Sequence, residues 1–476
     1  MGYNFVAVER DQLMLMPPSV AEWLPEDHLA WFVLDVVAEL DLTDFVSGYR
    51  ADGRGGSAYD PAMMLALLIY AYCTGERSSR RIERRLVEDV AFRVIAANQQ
   101  PDHATIARFR ATHEAAIAAL FGQVLALCSR QGLLRPGLVA IDGTRMVANA
   151  SREANRTAEQ VAEQILAEAA ATDASEDAQD DESGPAGSGS DDGLGPRSGR
   201  RERLRRVLDE LKAEADEHSY EAVMARRVAQ EAETGKKLRG KKPSPDRQKN
   251  RGRQHGNITD PESRLMNTKD GFVQGFNAQA VATVDQLVIA AEVSNQAFDA
   301  PLYESVIGAA KTNLKQAGER RRIRRVLADA GYWSEHNLNL AGVESFIAPG
   351  RARKLRQIAE SEQTRTKVID QVQAGELSKP EAAEKLGVSV ARVNQILRRR
   401  QAGDPDSLTQ AAIEKIDSPR GRRTYARRAG TIEPVFAQIK HNRKIRTISR
   451  RGLTAADSEW KLICSTHNLL KLYRMA

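Results

Sequence analysis

A short apolar segment that runs into an aspartate occurs twice in the chain, far apart in sequence. Leu138–Ile141 precedes Asp142, Val326–Leu327 precedes Asp329, and a glycine follows closely after each aspartate. Apolar runs of this length are typical of buried strands. An aspartate at the end of a strand is held rigidly by the sheet, although Asp-Gly is also a common turn pair. The pattern predicts two strand-end carboxylates in an α/β fold.

A third carboxylate, Glu433, lies at the start of a predicted amphipathic helix, because apolar residues follow it at helical spacing. Two strand-end aspartates and a helix-borne glutamate can converge on divalent cations from distant parts of a chain. Oxygen ligands select hard ions such as Mg²⁺ or Mn²⁺. Two such ions about 3.5–4 Å apart can activate a water or a 3′-hydroxyl and stabilise the leaving oxygen of a phosphodiester.

These three carboxylates resemble the catalytic triad of bacterial insertion-sequence transposases of the DDE type, and the resemblance covers nearly the whole chain. A Tyr-Arg-Glu-Lys signature surrounds the glutamate, with one more residue between its arginine and glutamate than the commonest form has. The residues that carry the resemblance are Tyr59–Leu68, Gly75–Arg80, Pro101–Arg110, Asp260–Met266, Gly275–Ala280, Tyr425, Arg428, Glu433 and Lys440.

The resemblance implies an α/β fold, namely an RNase H-like mixed sheet with flanking helices, a helical N-terminal domain and two mostly helical insertions. It also implies two Mg²⁺ (or Mn²⁺) ions held by Asp142, Asp329 and Glu433. The implied partners are double-stranded DNA, as transposon ends and as target, and a second copy of the chain in a homodimer on paired ends. No nucleotide cofactor is expected, because the sequence has no glycine-rich phosphate loop of the ATPase type.

The composition is that of a globular protein, with 42% hydrophobic and 28% charged residues in a chain of 476. The formal net charge is +6, and four basic clusters, two of which flank proposed catalytic carboxylates, favour a phosphate-rich ligand. The clusters are Arg197–Arg206, Lys236–Arg253, Arg321–Arg325 and Arg420–Arg451.

The expected location is the bacterial cytoplasm, in association with the nucleoid and without membrane contact. The apolar run Met63–Cys73 is too short to span a bilayer, and the N-terminus lacks the pattern of a signal peptide. The three cysteines are solitary and show no zinc-ligand spacing.

The predicted elements divide the chain into four parts. Residues 1–131 form a helical N-terminal domain, for which the resemblance implies binding of DNA ends. Residues 132–350 form the first part of the catalytic core, interrupted at 150–257 by a helical, partly disordered insertion. Residues 351–418 are a linker with a helix-turn-helix at 377–400. Residues 419–476 complete the core with the helices that carry Glu433.

Within the core, strand signals at Gly271–Thr283 and Gln286–Val293 predict a hairpin. A helix at Pro301–Gln316 and a last strand at Glu344–Ile347 then complete the strand order of an RNase H-like sheet. Inside the insertion, Asp173–Gly199 has too few apolar residues to build a core, which predicts disorder, and Lys236–Arg253 is interpreted as an extended basic arm.

Candidate DNA contacts lie on three helical segments. In Leu377–Arg400 a glycine turn between two apolar-patterned helices is typical of a helix-turn-helix, and a hairpin packed on the core is the alternative. Asp102–Arg110 can be a recognition helix or part of a plain bundle. The residues assigned to DNA or phosphate binding are Tyr425, Arg428, Lys440, Arg443, Lys444, Arg392, Asn394, Gln395, Arg108 and Arg110.

The sequence thus predicts an insertion-sequence transposase that binds the element's DNA ends and catalyses metal-dependent phosphodiester cleavage and strand transfer. Two alternatives stay open. One is a helix-turn-helix DNA-binding regulator with an inactive RNase H-like core, and the other is a nuclease that has the same core but does not transfer strands.

Overall fold

The computed structural model describes residues 22–49, 58–167, 196–217, 220–234, 255–268, 271–349, 364–365, 367–401 and 408–475. The predicted disordered segment Asp173–Gly199 lies mostly outside these residues, and the predicted basic arm Lys236–Arg253 lies wholly outside them.

Helices occupy the described residues before the first strand. They are α1 (Leu29–Glu39), α2 (Thr43–Val46), α3 (Pro61–Cys73), α4 (Ser79–Glu88), α5 (Val90–Ile95), α6 (His103–Thr112) and α7 (Glu114–Arg130). The central helix α3 begins at a proline that follows an aspartate cap, a favourable start for a helix. Its residues from Met64 to Cys73 are all buried. The N-terminal helices therefore share one hydrophobic core with the rest of the protein.

A six-stranded mixed sheet follows, with a separate two-stranded ladder beside it. Strand β1 is central, antiparallel to β5 on one side and parallel to β7 on the other, and β8 continues the parallel part. Strands β4 and β6 both pair with β5, at its beginning and at its end. The strands are β1 (Leu138–Val147), β2 (Asn155–Arg156), β3 (Gly256–Asn257), β4 (Arg264–Thr268), β5 (Gly271–Thr283), β6 (Val288–Ser294), β7 (Arg325–Ala328) and β8 (Glu344–Ile347).

Helices flank both faces of this sheet, as predicted. The described helices after the first strand are α8 (158–167), α9 (Pro196–Glu217), α10 (Tyr220–Thr234), α11 (Tyr303–Gln316), α12 (Glu335–Leu338), α13 (367–373), α14 (Lys379–Lys385), α15 (Val390–Gln401), α16 (Leu408–Asp417), α17 (Pro419–Ala437) and α18 (Leu453–Tyr473). Successive strand residues point to opposite faces. Ile141 accordingly packs in the cluster that contains α11, whereas Ala140 packs in the cluster that contains α17 and α18.

The two helical insertions have small hydrophobic clusters of their own. In the helix-turn-helix, Ala383 and Val393 are buried against each other's helices, and Gly387 supplies the turn with a φ of +60°. In the first insertion, α8 packs against α9. The structure describes two helices, α9 and α10, where one charged helix was predicted at Arg200–Ala232.

Two predicted boundaries were wrong, and one strand was missed. Strand β1 continues beyond Ile141 to Val147, since Gly143–Val147 remains paired with β5. The glutamate helix begins at Pro419 and not after Gly430, so the whole signature before Glu433 lies on one helix. Strand β4 was not predicted.

Among the described residues, no single helix is both long enough and apolar enough to cross a membrane. The bent pair of α6 and α7 meets that test by length and composition alone.

Candidate active site

Asp142 and Asp329 lie side by side on adjacent parallel strands. The last pair of this ladder joins Ala140 to Leu327, and each aspartate lies two residues beyond it. The two carboxylates therefore emerge at the same end of the ladder and on the same face, on strands about 4.8 Å apart. The prediction that Asp142 ends its strand was wrong, because the residue lies inside β1, opposite Ala280 of β5. Asp329 directly follows the last residue of β7, as predicted.

Asp142 is mostly buried and held by two hydrogen bonds. Its Oδ1 accepts from the backbone N–H of Gly143 at 2.9 Å, and its Oδ2 accepts from Nη2 of Arg428 at 2.7 Å. Burial raises the pKa of Asp142 to about 6, the neighbouring Arg428 opposes that rise, and the negative charge of Asp329 adds to it. An adjacent cation would relieve this mutual repulsion of carboxylates.

Asp329 caps the short turn that follows its strand by accepting from the N–H of Gly331 at 2.9 Å. A methyl group at Gly331 would lie 3.1 Å from Oδ1 of Asp329 and 3.1 Å from Oδ2 of Asp299. These distances are tighter than most van der Waals contacts. The glycine therefore lets two carboxylates approach from either side of the turn.

Glu433 reaches this site through Arg428. The guanidinium Nη1 of Arg428 lies 3.6 Å from Oε1 of Glu433 while its Nη2 binds Asp142. The Arg428 side chain is 14% exposed and that of Glu433 is 62% exposed. In the described part of the chain, no three His, Cys, Asp or Glu side chains are close enough to share a metal ion. An arginine thus bridges two of the three carboxylates.

Tyr425 lies one turn before Arg428 on the same helix and is half-buried. Burial raises the pKa of its phenol, Arg428 opposes this, and all three carboxylates raise it further. Tyr425 is therefore close enough to Arg428 and the three carboxylates for their charges to change its pKa.

A fourth carboxylate, Asp299, was not identified from the sequence. Its Oδ1 accepts from Nδ2 of Asn277 at 2.7 Å and from Nε2 of Gln279 at 2.9 Å. Arg145 forms an ion pair with it at 3.2 Å. The charge of Asp299 contributes to the raised pKa of Asp142. The signal that could have revealed this network is the alternation of two amides, Asn277 and Gln279, in an otherwise apolar, buried strand.

Two arginines assigned to DNA binding are structural instead. Arg443 is 5% exposed and donates to the backbone carbonyls of Tyr72 and Ile463 and to Oγ1 of Thr466. Arg110 is 7% exposed and donates to the backbone carbonyl of Arg77 and to the hydroxyl groups of Tyr72 and Ser449. Because both guanidinium groups are enclosed, neither faces a ligand. They tie the N-terminal helices to the C-terminal ones.

The remaining predicted DNA contacts lie at or near the surface. Lys440 donates to the backbone carbonyl of Arg145 at 2.8 Å, and burial, followed by two nearby arginines, lowers its pKa to about 8. Lys444 and Arg108 are exposed. In the helix-turn-helix, exposed Arg392 binds Oε1 of Gln395 at 2.6 Å, and Asn394 is half-buried.

Two family models match the chain. One, described as a transposase domain (DUF772), covers residues 18–112, and the other, described as a transposase DDE domain, covers residues 392–473. Over these two segments the chain is similar to transposases, and the two matches support an insertion-sequence transposase of the DDE type. The DDE transposase domain implies the RNase H-like fold for the mixed sheet. Glu433 and its signature lie within the second match, whereas Asp142 and Asp329 lie outside both. No curated protein and no solved structure matches the chain.

Proposed function

We propose that this transposase binds the ends of its element and catalyses phosphodiester cleavage and strand transfer at Asp142, Asp329 and Glu433. The observation that carries the proposal is the shared register of the two aspartates, which places their carboxylates together on the sheet face that packs against the glutamate helix. The adjacent, partly buried carboxylates of Asp142 and Asp329 are unfavourable for a purely structural role, because burial of like charges costs free energy.

The donor set fits hard divalent cations. All the proposed ligands are carboxylate oxygens, which suit Mg²⁺ or Mn²⁺, and the repulsion between Asp142 and Asp329 favours a cation between them. When bound, two such ions supply activation of the attacking water or 3′-hydroxyl and stabilisation of the leaving oxygen. Asp142, Asp329 and Glu433 would hold them, and Arg428 would compete with them for Oδ2 of Asp142.

Arg428 then has a second task. Released from Asp142, its guanidinium remains within the site and can donate two parallel hydrogen bonds to a phosphate. Its helix neighbour Tyr425 can donate its phenolic proton to the same group. The ion pair seen here thus offsets the negative charge of Asp142, as a bound cation would.

DNA recognition is assigned to the helical parts. We infer that residues 1–131 and the helix-turn-helix contact the element's ends, through exposed Arg108 in the first and through Arg392, Asn394 and Gln395 in the second. The exposure of Arg108, Arg392 and Gln395 supports this assignment. A homodimer on paired ends follows from the resemblance to transposases.

The test is cleavage and strand transfer with duplex DNA that carries the element's terminal repeats, in the presence of Mg²⁺. Asp142→Asn, Asp329→Asn and Glu433→Gln should each lower cleavage by several orders of magnitude, because each removes a charge from the site. Glu335→Gln, at an exposed carboxylate on α12, is the matched control and should cleave normally. Normal cleavage by the three variants would overturn the assignment.

The regulator alternative is favoured by one observation, that the described residues contain no preassembled three-ligand metal group. It predicts duplex binding without cleavage in the same assay. The nuclease alternative predicts cleavage without joining of the freed 3′ end to a target.

A further inference from the structure

An arginine-lined groove opens at the end of β7 opposite to Asp329. It is bordered by the first residues of β1 and β7 and has a volume of about 890 Å³. We call it the arginine groove and define it by seven arginines: Arg135, Arg320, Arg321, Arg322, Arg324, Arg325 and Arg427.

The positive charge of the arginine groove is largely unbalanced. Two of its arginines form ion pairs with acids outside the groove. Arg321 lies 2.9 Å from Glu319, and Arg135 lies 3.8 Å from Asp285. The other five form no ion pair with any described residue. The one acid in the lining, Glu344, lies 4.0 Å from Lys415. So dense a set of like charges favours a polyanion.

The groove lies at a defined distance from the proposed active site. Asp329 lies four positions after Arg325, which is at the start of β7, and this spacing corresponds to roughly 13 Å along a strand. Arg427 of the groove directly precedes Arg428, which binds Asp142. Since B-DNA rises 3.4 Å per nucleotide of each strand, this distance is roughly four base pairs.

The lining also indicates which nucleic acid fits. Among the described residues, the lining contains no aromatic side chain on which an unpaired base could stack. It has no Asn or Gln that could read an adenine edge either. The polar groups of the lining are mainly guanidinium groups and the protein backbone, which are typical of contacts to phosphates.

We propose that the arginine groove binds the phosphate backbone of double-stranded DNA about four base pairs from the bond that is cut. This inference rests on the proposed function, because the direction of the duplex is taken from the proposed active site. The duplex has two sources, the DNA flanking the element's end and the target. The shared chemistry is a B-form phosphate backbone without sequence preference.

The experiment measures binding of the full chain to fluorescent DNA by anisotropy, in EDTA and over a range of salt concentrations. The groove variant is Arg322→Gln/Arg324→Gln, at two exposed positions. The control Arg130→Gln/Arg474→Gln removes the same formal charge from two other exposed positions outside the groove. The probes are an end duplex with flanking DNA, a scrambled duplex and a single strand of oligo-dT.

The groove variant should lower the slope of log K against log salt by about 1.8, that is about 0.9 for each lost phosphate contact. This loss should appear with the duplex probes and not in the control variant. Loss with the end duplex alone assigns the groove to flanking DNA, and equal loss with the scrambled duplex assigns it to target DNA as well. Thermal melting should be unchanged in both variants because the substituted side chains are exposed.

Equal slopes for the groove and control variants would overturn the proposal, and so would a loss confined to oligo-dT. If the first variant unfolds, Arg320→Gln/Arg427→Gln tests the same groove from exposed positions in other elements. Failure of the proposed function has a different signature, because the binding assay needs neither metal nor cleavage. If the wild-type chain does not cleave DNA but the groove variant still lowers the salt slope, only the proposed enzymatic function is overturned.

Discussion

Nη2 of Arg428 lies 2.7 Å from Oδ2 of Asp142, and the two residues are 286 positions apart in the chain. This ion pair joins the central strand of the sheet to the helix that carries Glu433. It occupies one of the oxygens that we propose for metal binding. The pair is therefore both a structural contact between distant segments and a competitor for the cation.

Replacement of Arg428 should separate these two effects. In metal-free protein at pH 7–8, Arg428→Gln should lower the free energy of unfolding by about 1–3 kcal/mol, since it leaves a mostly buried carboxylate without its charged partner. The penalty should shrink at pH 5, where Asp142 is largely protonated because its pKa is about 6. Urea denaturation at the two pH values measures the difference. A penalty independent of pH would contradict an ion pair with Asp142.

The same variant should alter the metal requirement. Because Arg428 competes with the cation for Asp142, Arg428→Gln should reach half-maximal cleavage at a lower Mg²⁺ concentration, with a lower maximal rate if its guanidinium also binds phosphate. A Mg²⁺ titration of cleavage measures both quantities. An unchanged Mg²⁺ midpoint would exclude competition.

The raised pKa of Asp142 predicts how stability depends on pH. Its pKa is about 6 in the folded chain and 3.8 for an ordinary aspartate, so the folded state binds more protons between these values. Metal-free wild type should therefore lose about 2–3 kcal/mol relative to Asp142→Asn as pH rises from about 4 to above 6, and nothing further beyond that. Urea unfolding of both proteins at several pH values measures the difference. A difference in unfolding free energy that stays constant from pH 4 to above pH 6 would refute the raised pKa of Asp142.

Gly331 offers a test of the carboxylate geometry. A methyl group there would press on Asp329 and Asp299 at 3.1 Å, so Gly331→Ala should lower the cleavage rate by roughly tenfold or more, as small displacements of catalytic groups do. Gly308→Ala, in a helix with open space around the new methyl, should cleave normally and gain up to about 1 kcal/mol of stability. Equal rates for the two variants would show that the approach of the two carboxylates is unimportant.

Arg443 and Lys444 are adjacent in sequence and should respond in opposite ways. Arg443→Gln should destabilise the fold strongly, by about 3 kcal/mol, because it breaks a buried hydrogen-bond network, and the salt dependence of DNA binding should not change. Lys444→Gln, at an exposed position, should leave the melting temperature unchanged and lower the salt slope by about 0.9 if it contacts a phosphate. Melting curves and salt titrations of both variants distinguish the two roles.

The sheet could be predicted because its strands are marked locally. The hairpin of β5 and β6 is bounded by turn residues, and the segment leading into Asp329 is apolar and short. The extension of β1 past Asp142 could not be predicted, since Asp142 and Gly143 both disfavour strands and are held in β1 by pairing with β5. In that case a tertiary contact overrode local propensity.

The carboxylate network was predictable only in part. Asp142, Asp329 and Glu433 lie in recognisable local patterns. Asp299 follows a loop, and its place in the network depends on contacts with Asn277 and Arg145, which lie on two different strands. Burial of Arg443 was equally invisible, because it lies in the basic run Lys440–Arg446, which has the composition of an exposed surface. Its hydrogen-bond partners are distant residues on α3 and α18.

The most direct test of the shared metal site is to count Mn²⁺ ions by electron paramagnetic resonance in the complex with uncleaved end duplex. Wild type should bind two Mn²⁺ per chain, and Asp142→Asn/Asp329→Asn/Glu433→Gln should bind none at the same concentration, while Glu335→Gln binds two. The account is contradicted if the triple variant retains the wild-type number of bound ions, or if wild type binds none.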